Sequence, residues 1–421
     1  MTRLRQSGVT IIEMLIAMLI GSMLVIAVML VLGGMANGTN VRPGAEGSRR
    51  SLGSMADLDQ SASIAMFQVD KWTRSAGTGL GQTVKSPNTY SYAYGCKLFA
   101  AKSGTQLLPA GTLPAPFASI VPSATAGEFR LLPALIIPGG TTPNMTSAVS
   151  NHTSDVLVLM SSGNGYGEVP LLFTSTATSS ALTVPNTTAF SGTNVSNLAL
   201  ISDSQPATST TVANCMVTQV NLGTANTGAG TSIPLGGSWA TATIGSGLVS
   251  QAVASYSSSA TVLDLGDPSS TSTQPPSFQV IGVGDNDTLY AYDLLNIRSP
   301  QLQAKGQNVF ELHALYGVDT TGDGVVDSWV SAGSGSYTVA SLTSGTIAAS
   351  SVIKSIKAVR IGLILRTDLP EASAVTTSNT LTLFSDLAAS SLSYTRTLSG
   401  SELNYRYRTV EATIPIRNNS F

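Results

Sequence analysis

Side chains able to do chemistry are sparse in this sequence, and the densest group of them is Asp319-Thr-Thr-Gly-Asp-Gly-Val-Val-Asp327. Oxygen donors at alternate positions, with a glycine at the sixth, let a tight loop wrap a hard cation such as calcium. Asp319, Thr321, Asp323 and Asp327 would take loop positions one, three, five and nine, with the Val325 carbonyl at seven. Position twelve is Val330 rather than a bidentate Glu, so the loop is not an EF-hand and a calcium ion there would be held weakly. The same residues also suit a hairpin turn between Tyr316 and Trp329, in which Asp-Gly supplies the positive-φ positions. Asp285-Asn-Asp287 reads as a turn.

A second candidate is Glu13, a carboxylate at the edge of Met14–Leu32, a run of nineteen residues without a charge. That run is long enough to cross a hydrocarbon layer of ~30 Å as a helix. A carboxylate beside lipid costs about 2.5–3.5 kcal/mol even on a lenient scale, so it calls for a cationic partner. Cutting the chain between Gly8 and Val9 would create one, because the new α-amino group of Val9 lies four residues before Glu13. Such a pair can neutralise itself along one helix, or set the register between two staggered ones.

Gly8 followed by Val-Thr-Ile-Ile-Glu13, after a leader carrying Arg3 and Arg5, resembles the cleavage and methylation site of type IV prepilins. Val9 stands where that family usually has Phe. The resemblance implies that a prepilin peptidase removes residues 1–8 and methylates Val9, and that residues 9–35 form a helix anchored first in the inner membrane and later bundled in a filament. The basic leader stays cytoplasmic under the positive-inside rule. An ordinary secretory signal has a shorter apolar stretch and a small-residue cleavage site.

Chain composition limits what the remainder can be. Of 421 residues only 10% are charged, against a usual ~25%, while 43% are hydrophobic. A net charge of −2 without a clustered basic face gives no case for nucleic acid as a partner. Cys96 and Cys215 are not accompanied by a Cys-x-x-Cys, and His152 and His313 are the only histidines, which speaks against zinc. If the body lies in an oxidising space the two cysteines most simply form one disulfide; two buried thiols are the alternative. No nucleophile elbow, His-Glu-x-x-His or Walker loop occurs, so the sequence reads as non-enzymatic.

The elements that must carry these residues follow in order. Glycines and Pro43 between 33 and 47 predict an interrupted helix in a linker, 36–77 as a whole being linker plus the second half of a helical spine. Met55, Leu58, Ala62, Ala65, Val69, Trp72 and Ala76 then recur at three- and four-residue spacing on one stripe, and Gly77 is a natural stop. Residues 78–421 read as a β-rich extracytoplasmic head, with strands at Asp155–Met160, Val169–Phe173, Phe278–Val283, Leu289–Leu295, Val309–Tyr316, Ile356–Arg366 and Tyr405–Ile416. The last alternates polar and apolar residues, so one face should be wet, and Pro415 suits an edge. The fold class is therefore α+β.

Asp70-Lys-Trp-Thr-Arg-Ser-Ala-Gly-Thr-Gly-Leu80, Ser154-Asp-Val-Leu-Val158, Leu315-Tyr-Gly-Val-Asp319, Ile356-Lys-Ala-Val-Arg-Ile-Gly-Leu363 and Arg417-Asn418 resemble the corresponding stretches of PilW-type minor pilins, and residues from about 175 to 275 have no counterpart. The resemblance implies a structural protein of a type IV pilus that helps to initiate assembly or caps the tip, with its head in the periplasm and then on the cell-surface fimbrium. Its partners would be other minor and major pilins. The alternatives are a type II secretion pseudopilin and a pilus-tip adhesin. The 319–327 loop is similar to Asp- and Gly-rich calcium loops of extracellular proteins.

Overall fold

The computed structural model describes residues 43–416 apart from 81–84, 87–88, 92, 124, 126, 140–152, 164–169, 191–195, 207–208, 224–225, 247–248, 270 and 273–274. Among these residues no helix is long and apolar enough to cross a membrane, and the apolar run of 14–32 lies outside them.

A helix of 33 residues runs from Pro43 to Ser75. It starts earlier than the glycines suggest: Gly44 and Gly47 lie inside it, and Pro43 is tolerated because a first-turn residue has no intrahelical amide bond to lose. Leu58, Ala62, Ala65, Val69 and Ala76 of the apolar stripe are fully buried and Trp72 half-buried. Just past its end Gly77 adopts φ +78° and donates its amide to the Met160 carbonyl at 2.8 Å. A Cβ at Gly306 would stand 3.1 Å from that of Ala65, so small residues on both sides let helix and strand approach closely.

The three largest sheets among the described residues organise the head. The first, wholly antiparallel, has the spatial order Leu302–Gly306, Thr288–Asp293, Ser277–Gly284, Val156–Ser161, Ala134–Ile137. Val156–Ser161 and Ala134–Ile137 are buried at every position, as expected of strands covered on both faces. The second sheet runs Ser328–Val330, Val309–Val318, Ile356–Arg366, Tyr407–Pro415. Thr409, Glu411, Thr413 and Pro415 of its last strand are exposed and Ile414 is buried, so this edge strand has one wet face. The two sheets are stitched where the Ser154 hydroxyl donates to the Leu312 carbonyl and accepts the Leu312 amide, and where the Ile136 amide donates to the Tyr316 hydroxyl at 2.6 Å.

Six strands drawn from between residues 98 and 266 build the third sheet, in the order Thr105–Leu108, Leu98–Lys102, Cys215–Gln219, Leu198–Ser202, Thr261–Gly266, Leu171–Leu172. Its pair Cys215–Gln219 and Leu98–Lys102 is parallel. The Ser/Thr-rich stretch is thus a folded layer with its own core, including Phe99, Leu182, Phe190, Ile201, Met216 and Tyr256. Finally, a hairpin of Thr380–Leu383 and Tyr394–Thr397 covers the second sheet. Gly362 makes room for it, since a Cβ there would meet Leu383 at 2.8 Å.

Candidate functional site

Gly8, Val9 and Glu13 lie outside the described residues. Cys96 and Cys215 are joined by a disulfide, with Cα atoms 5.6 Å apart and both residues fully buried. The bridge fastens the segment after the long helix to the first residue of the Cys215–Gln219 strand, beside its parallel partner.

The 319–327 loop connects Val309–Val318 to Ser328–Val330, in a hairpin that pairs Tyr316 with Val330 and Gly317 with Trp329. Its carboxylates are turned onto its own backbone. Asp319 Oδ1 accepts the Gly322 amide at 2.5 Å and its Oδ2 the Gly324 amide at 2.8 Å. Asp327 Oδ2 accepts the amides of Thr320 and Thr321 at 2.7 and 3.0 Å and the Thr320 hydroxyl at 2.9 Å. Asp323 Oδ1 accepts the Val325 amide, while the Val325 side chain is exposed. Gly322 and Gly324 take φ +82° and +86°, the left-handed geometry that glycine adopts without strain. Burial works against ionising Asp319, but the Gly324 and Gly322 amides and the Lys357 charge outweigh it and hold the carboxyl below its usual range. The Thr320 amide and hydroxyl, with the Thr321 amide, lower Asp327 likewise. Among the described residues no group of three or more His, Cys, Asp or Glu is arranged to hold a metal ion.

A polar cluster that the sequence reading passes over sits where the hairpin meets the second sheet. Glu311, fully buried, accepts the Tyr394 hydroxyl on Oε2 at 2.8 Å, and His313 Nε2 lies 3.3 Å from the same oxygen. The Tyr394 ring stacks on the His313 imidazole with centroids 3.6 Å apart. Asp155 stands on the other side, its Oδ2 3.8 Å from His313 Nδ1, and its two oxygens accept the amides of Gly139 and Ala314. Burial pushes the Asp155 carboxyl up, and burial together with the neighbouring Glu311 does the same to the Tyr394 phenol. Arg396 of the hairpin lies 3.6 Å from Glu311 and closes a 2.6 Å pair with Glu402. The signal was present in the letters: Glu311 and His313 share one face of an otherwise apolar strand. This arrangement latches the hairpin to the sheet. Among the described residues, His313 is held by Glu311, Asp155 and the Tyr394 ring.

Both ends of the chain match known families. Residues 3–33 match the prokaryotic N-terminal methylation motif, and residues 283–418, which span the whole second sheet, its Asp-rich loop and the latched hairpin, match Type IV Pilus-assembly protein W. The leader motif on a β-rich head makes the chain a type IV prepilin-like protein. Within that class it is of the PilW type. Comparison with curated proteins and with solved structures gives no match.

Proposed function

We propose that the chain is a minor pilin of a type IV pilus, structural rather than catalytic, which helps to initiate assembly or caps the tip. The observation that carries this reading is the methylation motif at 3–33 joined to a compact body, Leu58–Phe421, far bulkier than lateral repetition along a shaft would accommodate. A single-pass anchor over 9–35 would hold the head in the periplasm until prepilin peptidase and the other pilins engage it. The exposed face of the long helix fits that role: Ile64 and Phe67, 45% and 64% exposed and one turn apart, offer apolar surface to a neighbouring subunit.

Immunogold labelling of an epitope-tagged chain, with a deletion strain for comparison, tests the proposal. Label confined to pilus tips and a fall in pilus number on deletion support it. Label along the whole shaft, or a deletion that leaves pili intact and blocks protein secretion, overturns it, the second result in favour of the type II pseudopilin.

A further inference from the structure

Where the C-terminal part of the long helix meets the edge of the first sheet, the head forms an open cleft of about 390 Å³. Its walls include Lys71 and Trp72 of the helix, Arg298 from the turn after Thr288–Asp293, and Lys305 of the edge strand Leu302–Gly306. Among the described lining residues the single carboxylate is Asp293, whose Oδ1 accepts the Leu295 amide at 3.1 Å and whose Oδ2 accepts those of Ile297 and Arg298 at 2.8 and 3.1 Å. Among the described residues three cations thus share this one carboxylate, which feels the Arg298 charge and whose oxygens also hold backbone amides, on a chain whose net charge is −2. They are close enough to feel one another. Burial, then the charges of Arg298 and Lys71, pull the Lys305 ammonium below its usual value. Keeping like charges together is unfavourable unless something anionic joins them.

The rest of the wall indicates what kind of anion. Gln68, Gln301 and Gln303 line the same space, and a carboxamide both donates and accepts, as a sugar hydroxyl does. Lys305 Nζ sits 5.9 Å from the Trp72 ring centroid and donates to Gln303 Oε1, so one cation is braced between an indole and an amide. Gln301 is likewise fixed, donating to the Asp293 carbonyl at 2.7 Å. The volume falls in the range of small-molecule sites and far exceeds a lone inorganic ion. We propose that this cleft binds a carboxylate-bearing sugar residue of an acidic polysaccharide, with Lys71, Arg298 and Lys305 on the carboxylate and the glutamines on hydroxyls. The proposal is independent of the assembly role above.

Calorimetric titration of the full-length protein in detergent tests it, with trigalacturonate as the probe and its neutral methyl ester, inorganic sulfate and triglutamate as comparisons. Trigalacturonate should bind, and the ester should bind at least about tenfold more weakly, since charge-assisted contacts carry the affinity. The double variant Lys71→Gln, Arg298→Gln, whose side chains are exposed, should lose roughly tenfold or more in affinity while melting at the parent temperature. Equal binding by parent and double variant, or no binding by the parent, would overturn the proposal. So would sulfate or triglutamate binding as tightly as trigalacturonate, the first meaning an unspecific anion site and the second a peptide site.

Discussion

Replacing Tyr394 by Phe removes one oxygen and little else, which makes it the sharpest probe of the latch between hairpin and sheet. Its hydroxyl is a 2.8 Å donor to Glu311, a carboxylate fully shut off from water, and lies 3.2 Å from the Thr153 hydroxyl. Hydrogen bonds to charged groups contribute about 1.5–3 kcal/mol, and loss of the donor leaves part of the desolvation cost of the carboxylate unmet. The ring itself still stacks on His313, so the apolar contribution is retained. At 1.4 kcal/mol per decade, opening of the hairpin should become roughly 10- to 100-fold more favourable in Tyr394→Phe. Hydrogen–deuterium exchange followed by mass spectrometry reads this directly. Peptides over 380–397 should exchange faster by about that factor, while peptides over the distant Leu198–Ser202 strand keep the parent rate. Unchanged exchange at 380–397 would refute the latch. Equal acceleration in both regions would show that the change acts on global unfolding instead.

Other expectations follow from the same structure. Changing both Cys96 and Cys215 to Ser should destabilise the head by about 2–5 kcal/mol, measured by denaturant unfolding; an unchanged midpoint would mean the bridge constrains little. In the 319–327 loop, Asp319 and Asp327 titrate below their usual value, so their contribution is present above the ordinary carboxyl pKa and is lost as pH falls through the lowered folded values. Exchange protection of the Thr320, Gly322 and Gly324 amides should decline over that acid window in the parent, and Asp327→Ala should lose it at Thr320 already at neutral pH; pH-independent protection would contradict the assignment. Millimolar calcium should raise the melting temperature of the parent but not that of Asp323→Ala; an equal shift in both, or none in either, would leave the loop an ordinary Asp-Gly turn. Phe67→Glu should leave the melting temperature of the head unchanged and exclude the chain from pili; normal incorporation would remove the exposed helix face from the interface.

What could be read from the letters tracks how local each signal is. The stripe from Leu58 to Ala76 was legible because helical periodicity needs no partner, and Ile356–Arg366 because eleven largely apolar residues in a row suit a central strand. The helix Ile347–Ser355 was missed, although Thr346 caps it by accepting the Ala349 amide, because its nine residues are rich in Ser and Ala. The hairpin Thr380–Thr397 was missed for a different reason: Ser385–Ser390 between its strands makes a 3₁₀ turn, and most of its side chains become covered only by the second sheet. The Ser/Thr-rich layer escaped because its core is collected from strands of two to six residues. At the latch, Glu311 and His313 were adjacent on one strand face, but Tyr394 is 83 positions from Glu311, and Ala314, whose amide Asp155 accepts, is 159 positions from it. No local pattern announces such a meeting. The cleft cations are likewise contributed by separate elements, and only their sharing of one carboxylate marks them as a group.

The most direct test of the central claim is mass spectrometry of the N-terminal peptide of this chain recovered from sheared pili. A peptide beginning at N-methylated Val9, with Glu13 five residues into the mature chain, is the predicted result. Recovery of Met1, a cut at another position, or absence of the chain from the pilus fraction would contradict it.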